Sequence, residues 1–191
     1  MDISDHKVFV FDLGMVLVSL YRKECVENFR LLGIEDAAAM IGNSSQNGPF
    51  GALEYGLISV EKFCDELAQI SSKKITEKDI LNAWNSMIGE TPVDLLNMIY
   101  RLRHEFGKTV CMLSNVNQPH IDNVMQNHFR QVEGRDIHDY FERLFAQGRG
   151  LQGRHTGQGP GHRGRSHQAG GRDIEDCKRK DWSVMKRKAL T

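Results

Sequence analysis

The sequence predicts an α/β fold, in which a parallel sheet carries a helical cap inserted after its first strand. Short apolar runs typical of buried strands alternate with amphipathic helical patterns, and this order gives a parallel sheet with right-handed crossovers. The stretch 19–90 is too long for a single crossover and carries several helical patterns of its own. We therefore expect it to form a small helical unit over the carboxyl edge of the sheet, where ligands bind in open α/β folds.

Composition indicates one globular protein without a membrane or nucleic-acid signature. The 191 residues are enough to bury one good core, and 25 basic residues balance 25 acidic ones. No apolar run reaches the roughly 18 residues of a membrane span, and the N-terminus does not resemble a secretory signal. The four cysteines are scattered along the chain. This pattern argues against a zinc site or a disulfide framework and predicts a reduced, cytoplasmic location.

The first half of the chain is predicted to form one strand followed by three helices. Residues 7–18 are rich in β-branched and aromatic side chains, as in a strand buried on both faces. A helix over 22–33 ends in a glycine, and the composition of 42–51 predicts a loop. The next two helices begin at Ser59 and at Thr76, which opens a capping-box pattern. Their apolar faces hold Phe63, Leu67 and Ile70 in one helix, and Ile80, Trp84, Met87 and Ile88 in the other.

The second half is predicted to alternate helix and strand. A helix begins with Thr91 as N-cap and Pro92 at its first position. A short apolar strand follows over 109–115, and then a helix over 117–131. A turn of helix within 139–145 leads into a third strand. The predicted apolar faces hold Leu95, Ile99, Leu102 and Phe106 in the first helix, and Ile121, Val124, Met125, His128 and Phe129 in the second.

These patterns divide the chain into a core, a cap and a tail. The expected bounds are 1–18 and 91–146 for the Rossmann-like core, 19–90 for the cap, 147–172 for a disordered segment and 173–191 for a C-terminal tail. The disordered segment is rich in glycine and arginine and has almost no aliphatic side chain, so burial cannot offset its ordering entropy. The tail favours a short helix that carries Trp182, Val184 and Met185.

Polar residues that could carry chemistry stand at the ends of the first two strands. A carboxylate such as Asp12 can attack a phosphoryl centre and hold it as an aspartyl phosphate. Gly14 would let the backbone turn tightly, so that its carbonyl approaches a metal ion. Ser114 offers a hydroxyl donor and Asn115 an amide at the end of the neighbouring strand. Taken singly, Asp-Leu-Gly is equally compatible with an ordinary turn, and Ser114-Asn115 is more often the start of a loop than a phosphate clamp.

Three stretches resemble the haloacid dehalogenase superfamily, whose members are mostly phosphatases. The sequence FDLGMVLV at 11–18 resembles its first motif, and MLSN at 112–115 resembles its second. The sequence GPFGALEYGLISVEKFCDEL at 48–67 resembles the cap of the branch that includes bacterial sugar-phosphate phosphatases. The resemblance extends from residue 7 to about residue 145.

The resemblance implies a Mg²⁺-dependent phosphatase that acts on small phosphorylated metabolites such as sugar phosphates. In that family the first aspartate, here Asp12, is the nucleophile and a metal ligand. The backbone carbonyl of Gly14 would be a second metal ligand, and Ser114 and Asn115 would bind the phosphoryl group.

The chain departs from the family pattern in two places. Gly14 stands where many members carry a second aspartate that serves as general acid and base. The family also has a lysine after the third strand and paired acids after a fourth, and no Lys-Pro or strand-plus-acids pattern follows Phe145. Asp173, Glu175 and Asp176 lack a preceding strand, and we assign them no role.

Two alternatives therefore stay open beside the phosphatase. The chain from about residue 146 could come from a disrupted reading frame or an altered exon, which would leave an inactive member of the family. The Arg/Gly-rich segment could instead bind single-stranded nucleic acid, although it lacks the interleaved aromatic side chains that stack on bases.

Overall fold

The structure, a computed structural model, describes residues 3–42, 45–146 and 183–184 of the chain. Its helices within these ranges are α1 (Arg22–Leu31), α2 (Ala37–Met40), α3 (Gly48–Glu54), α4 (Val60–Ile70), α5 (Glu77–Asn85), α6 (Val93–His104), α7 (Gln118–Asn123) and α8 (Ile137–Tyr140). Its strands are β1 (Val8–Phe11), β2 (Thr109–Ser114), β3 (Arg143–Ala146) and β4 (Ser183–Val184). A 3₁₀ turn at Ile3–Asp5 precedes β1, and a π-helical turn at Val124–His128 continues α7. No helix of the described ranges is long and apolar enough to cross a membrane.

The strands form one parallel sheet in the order β3-β2-β1-β4. Phe11 of β1 lies level with Met112 of β2, which in turn lies level with Leu144 of β3. Between β1 and β2, and again between β2 and β3, the chain returns through helices, as parallel neighbours require. The predicted fold class, a parallel α/β sheet with an inserted helical unit, is confirmed.

The apolar side chains form two separate cores. The sheet core joins β1 and β2 to the helices that follow them, and its buried members include Phe9, Phe11, Leu96, Ile99, Leu102, Val110, Met112, Ile121, Phe129 and Tyr140. The second core, here called the helical cluster, consists of Cys25, Val26, Phe29, Ile34, Ala37, Ile41, Phe50, Leu53, Phe63, Cys64, Leu67, Ile80, Ala83, Trp84 and Met87. The ring of Phe50 lies at its centre, with centroid distances of 4.9 Å to Phe29, 5.3 Å to Phe63 and 5.2 Å to Trp84.

Two chain segments connect the sheet to the helical cluster, and they pair with each other. The Ser19 N–H donates to the Glu90 carbonyl at 3.0 Å, and the Gly89 N–H donates back to the Ser19 carbonyl at 2.8 Å. The Tyr21 N–H donates to the Met87 carbonyl at 2.8 Å, and the Tyr21 hydroxyl donates to the Glu90 carboxylate. The two linkers, residues 19–21 and 87–90, therefore form a short two-stranded antiparallel pair.

The predicted starts of two helices are confirmed at the level of single hydrogen bonds. The Ser59 hydroxyl accepts the Lys62 N–H at 3.2 Å, as an N-cap should. Thr76 accepts the Asp79 N–H at 3.2 Å, and the Asp79 carboxylate accepts the Thr76 N–H at 2.9 Å, which completes the capping box. Ile70 was wrongly placed on the buried face of α4, because it is the last residue of that helix and lies 52% exposed.

The first strand is shorter than predicted, and the loop predicted at 42–51 is partly helical. β1 ends at Phe11, since the Leu13 carbonyl accepts the N–H groups of Leu17 and Val18 at 2.9 and 3.0 Å and folds the chain into a turn. The helix α3 begins inside the predicted loop, because burial of Phe50 in the helical cluster outweighs the turn-forming composition.

The two helices around β2 also differ from the prediction. The N-cap of α6 is Pro92 rather than Thr91, whose buried side chain instead contacts Nδ1 of His128 at 3.2 Å. The buried face of α6 contains Leu96, Ile99 and Leu102, while Phe106 is 55% exposed. The helix that follows β2 changes into the π-helical turn after Asn123, and this turn brings Phe129 into the sheet core.

Only two residues of the predicted tail are described. Ser183 and Val184 form a strand that pairs in parallel with Phe9 and Val10 of β1, so the helix predicted there is wrong at these two positions. The disordered segment predicted at 147–172 lies outside the described residues, as do Asp173, Glu175 and Asp176.

Candidate active site

Asp12 is the first residue after β1, and its side chain is exposed. Its Oδ1 accepts the Leu13 N–H at 2.7 Å. Among the described residues, Asp12 forms no ion pair. The carboxylate therefore keeps its hydration at the carboxyl end of the strand, and its second oxygen has no protein donor within the described part of the chain.

The strand register brings Asp12 close to the residues that follow β2. Phe11 lies level with Met112, so Asp12 is one residue short of Ser114 along the paired strands. With strands about 4.8 Å apart and a rise of about 3.3 Å per residue, their backbones are separated by about 6 Å. Ser114 is buried with 8% exposure, and Asn115 is exposed. The predicted residues thus meet at one edge of the sheet.

The tight turn after Asp12 does not depend on Gly14 in the way the sequence suggested. A Cβ at Gly14 would lie 3.5 Å from Cδ1 of Leu20, which is an ordinary contact, and its φ is not left-handed. Met15 adopts the left-handed conformation instead, with φ 61°. The turn therefore stores its strain at Met15. The backbone at position 14 therefore accommodates a Cβ, and this corrects the predicted steric role of its glycine.

The oxygen donors at this edge are few. Within the described ranges there is no group of three or more His, Cys, Asp or Glu side chains that could hold a metal ion. The Asp12 carboxylate and the Gly14 carbonyl are oxygen donors of the kind that Mg²⁺ selects. Their chemistry fits Mg²⁺, which would need water and substrate phosphate to complete its coordination there.

A buried polar network a few residues after Ser114 in the sequence was not predicted. Asn117 and His120 are each 6% exposed, and both contact Trp84 of the helical cluster. Burial lowers the pKa of His120 to about 4, and the hydrogen bond to the Trp84 carbonyl opposes this effect only in part. The sequence signal was weak: a helix N-cap followed by a histidine three residues later. Such a spacing does not identify the partner on α5.

Two surface cavities are lined by residues other than Asp12 and Ser114. One, of about 550 Å³, is open to solvent at residues 20–24 beside the first linker. A second, of about 320 Å³, lies between α5 and α7 and is lined mostly by amide side chains.

Comparison with known proteins identifies relatives of this arrangement. The chain is 30% identical over 139 residues to D-ribitol-5-phosphate phosphatase of Bacteroides thetaiotaomicron. The matched region covers 73% of this chain and 66% of the phosphatase. It resembles the crystal structure of a HAD family enzyme from the same species in complex with magnesium and inorganic phosphate, with a TM-score of 0.67 and 32% identity over 74% of this chain and 69% of that one. It also resembles a predicted HAD-like family hydrolase from Porphyromonas gingivalis, with a TM-score of 0.63 and 29% identity over 74% and 66% of the two chains.

No protein-family model matches the sequence. The chain spans slightly less than two thirds of the length of the ribitol phosphatase. The chain shares 32% sequence identity with a solved HAD family enzyme. It also has a parallel sheet in which an aspartate directly follows the first strand and a serine ends the second. The chain belongs to the haloacid dehalogenase (HAD) family.

Proposed function

We propose that this chain is a Mg²⁺-dependent phosphatase of small phosphorylated metabolites, with sugar phosphates as the first candidates. The observation that supports the proposal is the strand register, in which β1 and β2 are parallel and Asp12 lies one residue short of Ser114 at their shared carboxyl edge. A nucleophile beside a hydroxyl donor at such an edge is the arrangement that phosphoryl transfer needs. The identity with a sugar-alcohol-phosphate phosphatase supports the same substrate class.

Asp12 is the proposed nucleophile. One of its carboxylate oxygens attacks phosphorus, the new bond forms an aspartyl phosphate, and the bond to the sugar oxygen breaks. Water then attacks phosphorus, which releases inorganic phosphate and returns the Asp12 carboxylate. The Leu13 N–H donates to Oδ1 and so restricts the orientation of the carboxylate.

Ser114 and Asn115 are proposed to hold the transferred phosphoryl group. The Ser114 hydroxyl is nearly buried and ends β2, so its position is set by the sheet rather than by a loop. Gly14 supplies no proton to the departing sugar oxygen, so water must supply it. Substrates whose leaving group is already a weak base, such as sugar 1-phosphates, should depend least on that proton.

The metal is proposed to bind at the Asp12 carboxylate and the Gly14 carbonyl. When bound, Mg²⁺ neutralises charge between the carboxylate and the incoming phosphate. Because the described residues contain no group of three or more acidic, histidine or cysteine side chains that could hold a metal ion, and Asp12 is the one carboxylate proposed as a ligand, we expect millimolar rather than micromolar affinity without phosphate.

The stretch 19–90, which contains the helical cluster, is proposed to act as the cap that covers the bound metabolite. We also propose a cytoplasmic location, supported by the thiols of Cys25, Cys64 and Cys111, which are buried and form no disulfide with one another.

The test is phosphate release from an aryl phosphate and from a panel of sugar and polyol phosphates, with and without Mg²⁺. We expect Mg²⁺-dependent turnover that falls to background in Asp12→Asn. Asp94→Asn, which removes an exposed carboxylate from the first turn of α6, is the matched control and should keep the parental rate. Turnover that survives in Asp12→Asn would refute the assignment, and no turnover by the parent would favour the inactive family member.

A further inference from the structure

We propose that Trp84, Asn117 and His120 form a positioning network, which couples the helical cluster to the loop that would bind the phosphoryl group. The loop comprises Ser114 to Asn117. This inference rests on the proposed function for the role of the loop, but the coupling itself is a property of the fold. It follows from hydrogen bonds, ring stacking and burial at one contact between the two cores.

Asn117 connects the loop to α5 through a single side chain. It is the N-cap of α7, and its Oδ1 accepts the His120 N–H at 3.2 Å. The same oxygen accepts the indole N–H of Trp84 at 3.3 Å. Asn117, the N-cap residue at the end of the loop, is therefore also the hydrogen-bond partner of a residue in the helical cluster.

His120 makes the second connection. Its ring stacks on Trp84 at a centroid distance of 4.5 Å and an interplanar angle of 23°. Nδ1 lies 3.2 Å from Nδ2 of Asn117, and Nε2 lies 3.1 Å from the Trp84 carbonyl. Because Oδ1 of Asn117 already accepts two hydrogen bonds, its Nδ2 must donate to Nδ1. The remaining proton is then on Nε2 and donates to the Trp84 carbonyl.

Burial makes this arrangement resistant to displacement. Trp84 is fully buried and is packed against Phe50 and Phe63 on the side of the helical cluster. Moving α5 away from the loop would leave the indole N–H, the Asn117 amide and the imidazole without partners in an apolar environment, which is costly. The loop and the helical cluster should therefore move together, so a displacement of one should displace the other.

The linkers alone do not provide this coupling. They join the two cores by backbone pairing near Ser19 and Gly89, at a distance in sequence from the loop. Asn117 and His120 contact the helical cluster from positions three and six residues after Ser114. The contact made by Asn117 begins within the loop itself, and that of His120 begins in the first turn of the helix that follows it.

Two variants distinguish the coupling to Trp84 from the role of Asn117 as N-cap of α7. Asn117→Ser retains an N-cap oxygen, because serine caps helices as well as asparagine does, but its side chain is too short to reach the indole of Trp84. His120→Phe retains a ring to stack on Trp84 and loses both nitrogens. His128→Asn is the matched control, since His128 is a half-buried histidine of the same segment that contacts Thr91 and not Trp84.

The first readout is hydrogen–deuterium exchange of the full chain without any ligand. We expect Asn117→Ser and His120→Phe to speed exchange by about tenfold, both in peptides from the loop and in peptides from the end of α5, as loss of buried hydrogen bonds should. His128→Asn should leave both regions unchanged. Faster exchange confined to α7, or the same pattern in His128→Asn, would overturn the coupling.

The second readout is the fluorescence of Trp84 in a Trp182→Phe background, which leaves Trp84 as the single tryptophan. Mg²⁺ and inorganic phosphate are added, and binding is measured independently by calorimetry. We expect phosphate to shift the Trp84 emission, and Asn117→Ser to remove the shift while phosphate still binds. Phosphate binding without an emission change in the parent would overturn the proposal. Exchange decides the coupling without a ligand, so an absence of turnover would count against the phosphatase proposal alone.

Discussion

Lowering the pH from 7 to 4 should destabilise this protein through His120. Burial lowers the pKa of its imidazole from 6.5 to about 4, and the hydrogen bond to the Trp84 carbonyl opposes burial only partly. A proton on Nδ1 would also face the Asn117 amide, donor against donor. In the unfolded chain the pKa returns to about 6.5. Between these values the unfolded state binds more protons, so the free energy of unfolding falls as the pH falls.

The size of the effect follows from the two pKa values. Each pH unit between them is worth about 1.4 kcal/mol for one proton, so the window from 6.5 to about 4 corresponds to about 3 kcal/mol. A typical domain has about 5 to 15 kcal/mol of stability in total. The contribution of His120 is fully present above pH 6.5 and is lost as the pH approaches its folded-state pKa.

The assay is urea unfolding followed by circular dichroism at intervals from pH 7.5 to 4, for the parent and for His120→Phe. The variant should be less stable at neutral pH, but its stability should fall by about 1.4 kcal/mol less per pH unit between about 4.5 and 6. His128→Asn should retain the steep dependence, since His128 is only half-buried. Parallel curves for the parent and His120→Phe, or an equal flattening in His128→Asn, would refute the reasoning.

Three further substitutions follow from the linkers and the strand edge. Gly89→Ala would place a Cβ 2.8 Å from the Tyr21 ring, so the free energy of unfolding in urea should fall by about 1 kcal/mol, and less in a Tyr21→Ala background. Gly14→Asp places its Cβ in ordinary contact with Leu20, and it should raise turnover of alkyl phosphates more than that of aryl phosphates, because it adds the missing acid. Asp12→Asn should change the free energy of unfolding by less than about 0.5 kcal/mol, in contrast to its effect on turnover.

The parts of the fold set by local chemistry were predictable from sequence. The capping box at Thr76 and the N-cap at Ser59 depend on residues three positions apart, and both were predicted. The helix α3 was missed because its residues are typical of a turn. Its stabilisation comes from Phe50, which packs against two rings that are distant in sequence.

The candidate site was predictable only where a strand ends. Asp12 and Ser114 could be placed together because the carboxyl ends of parallel strands share one edge of a sheet. The contacts of Asn117 and His120 with Trp84 span 33 and 36 residues, and no periodic pattern links such positions. The sequence pattern placed His128 on an apolar helical face. The more deeply buried histidine is His120, which follows a proline at the start of α7.

The exposure of Asp12 bears directly on why an aspartate stands at the end of β1. A buried carboxylate would need a partner to offset the cost of leaving water. Asp12 instead remains in water and uses one oxygen to accept the Leu13 N–H, which an asparagine could do equally well. The fold therefore has no need of its negative charge. Nucleophilic attack and metal binding do need it, because an amide oxygen is a poor substitute for a carboxylate in both. That difference is the physical reason to propose the chemistry at Asp12. The need for a charge also distinguishes this residue from the apolar residues of the strand before it.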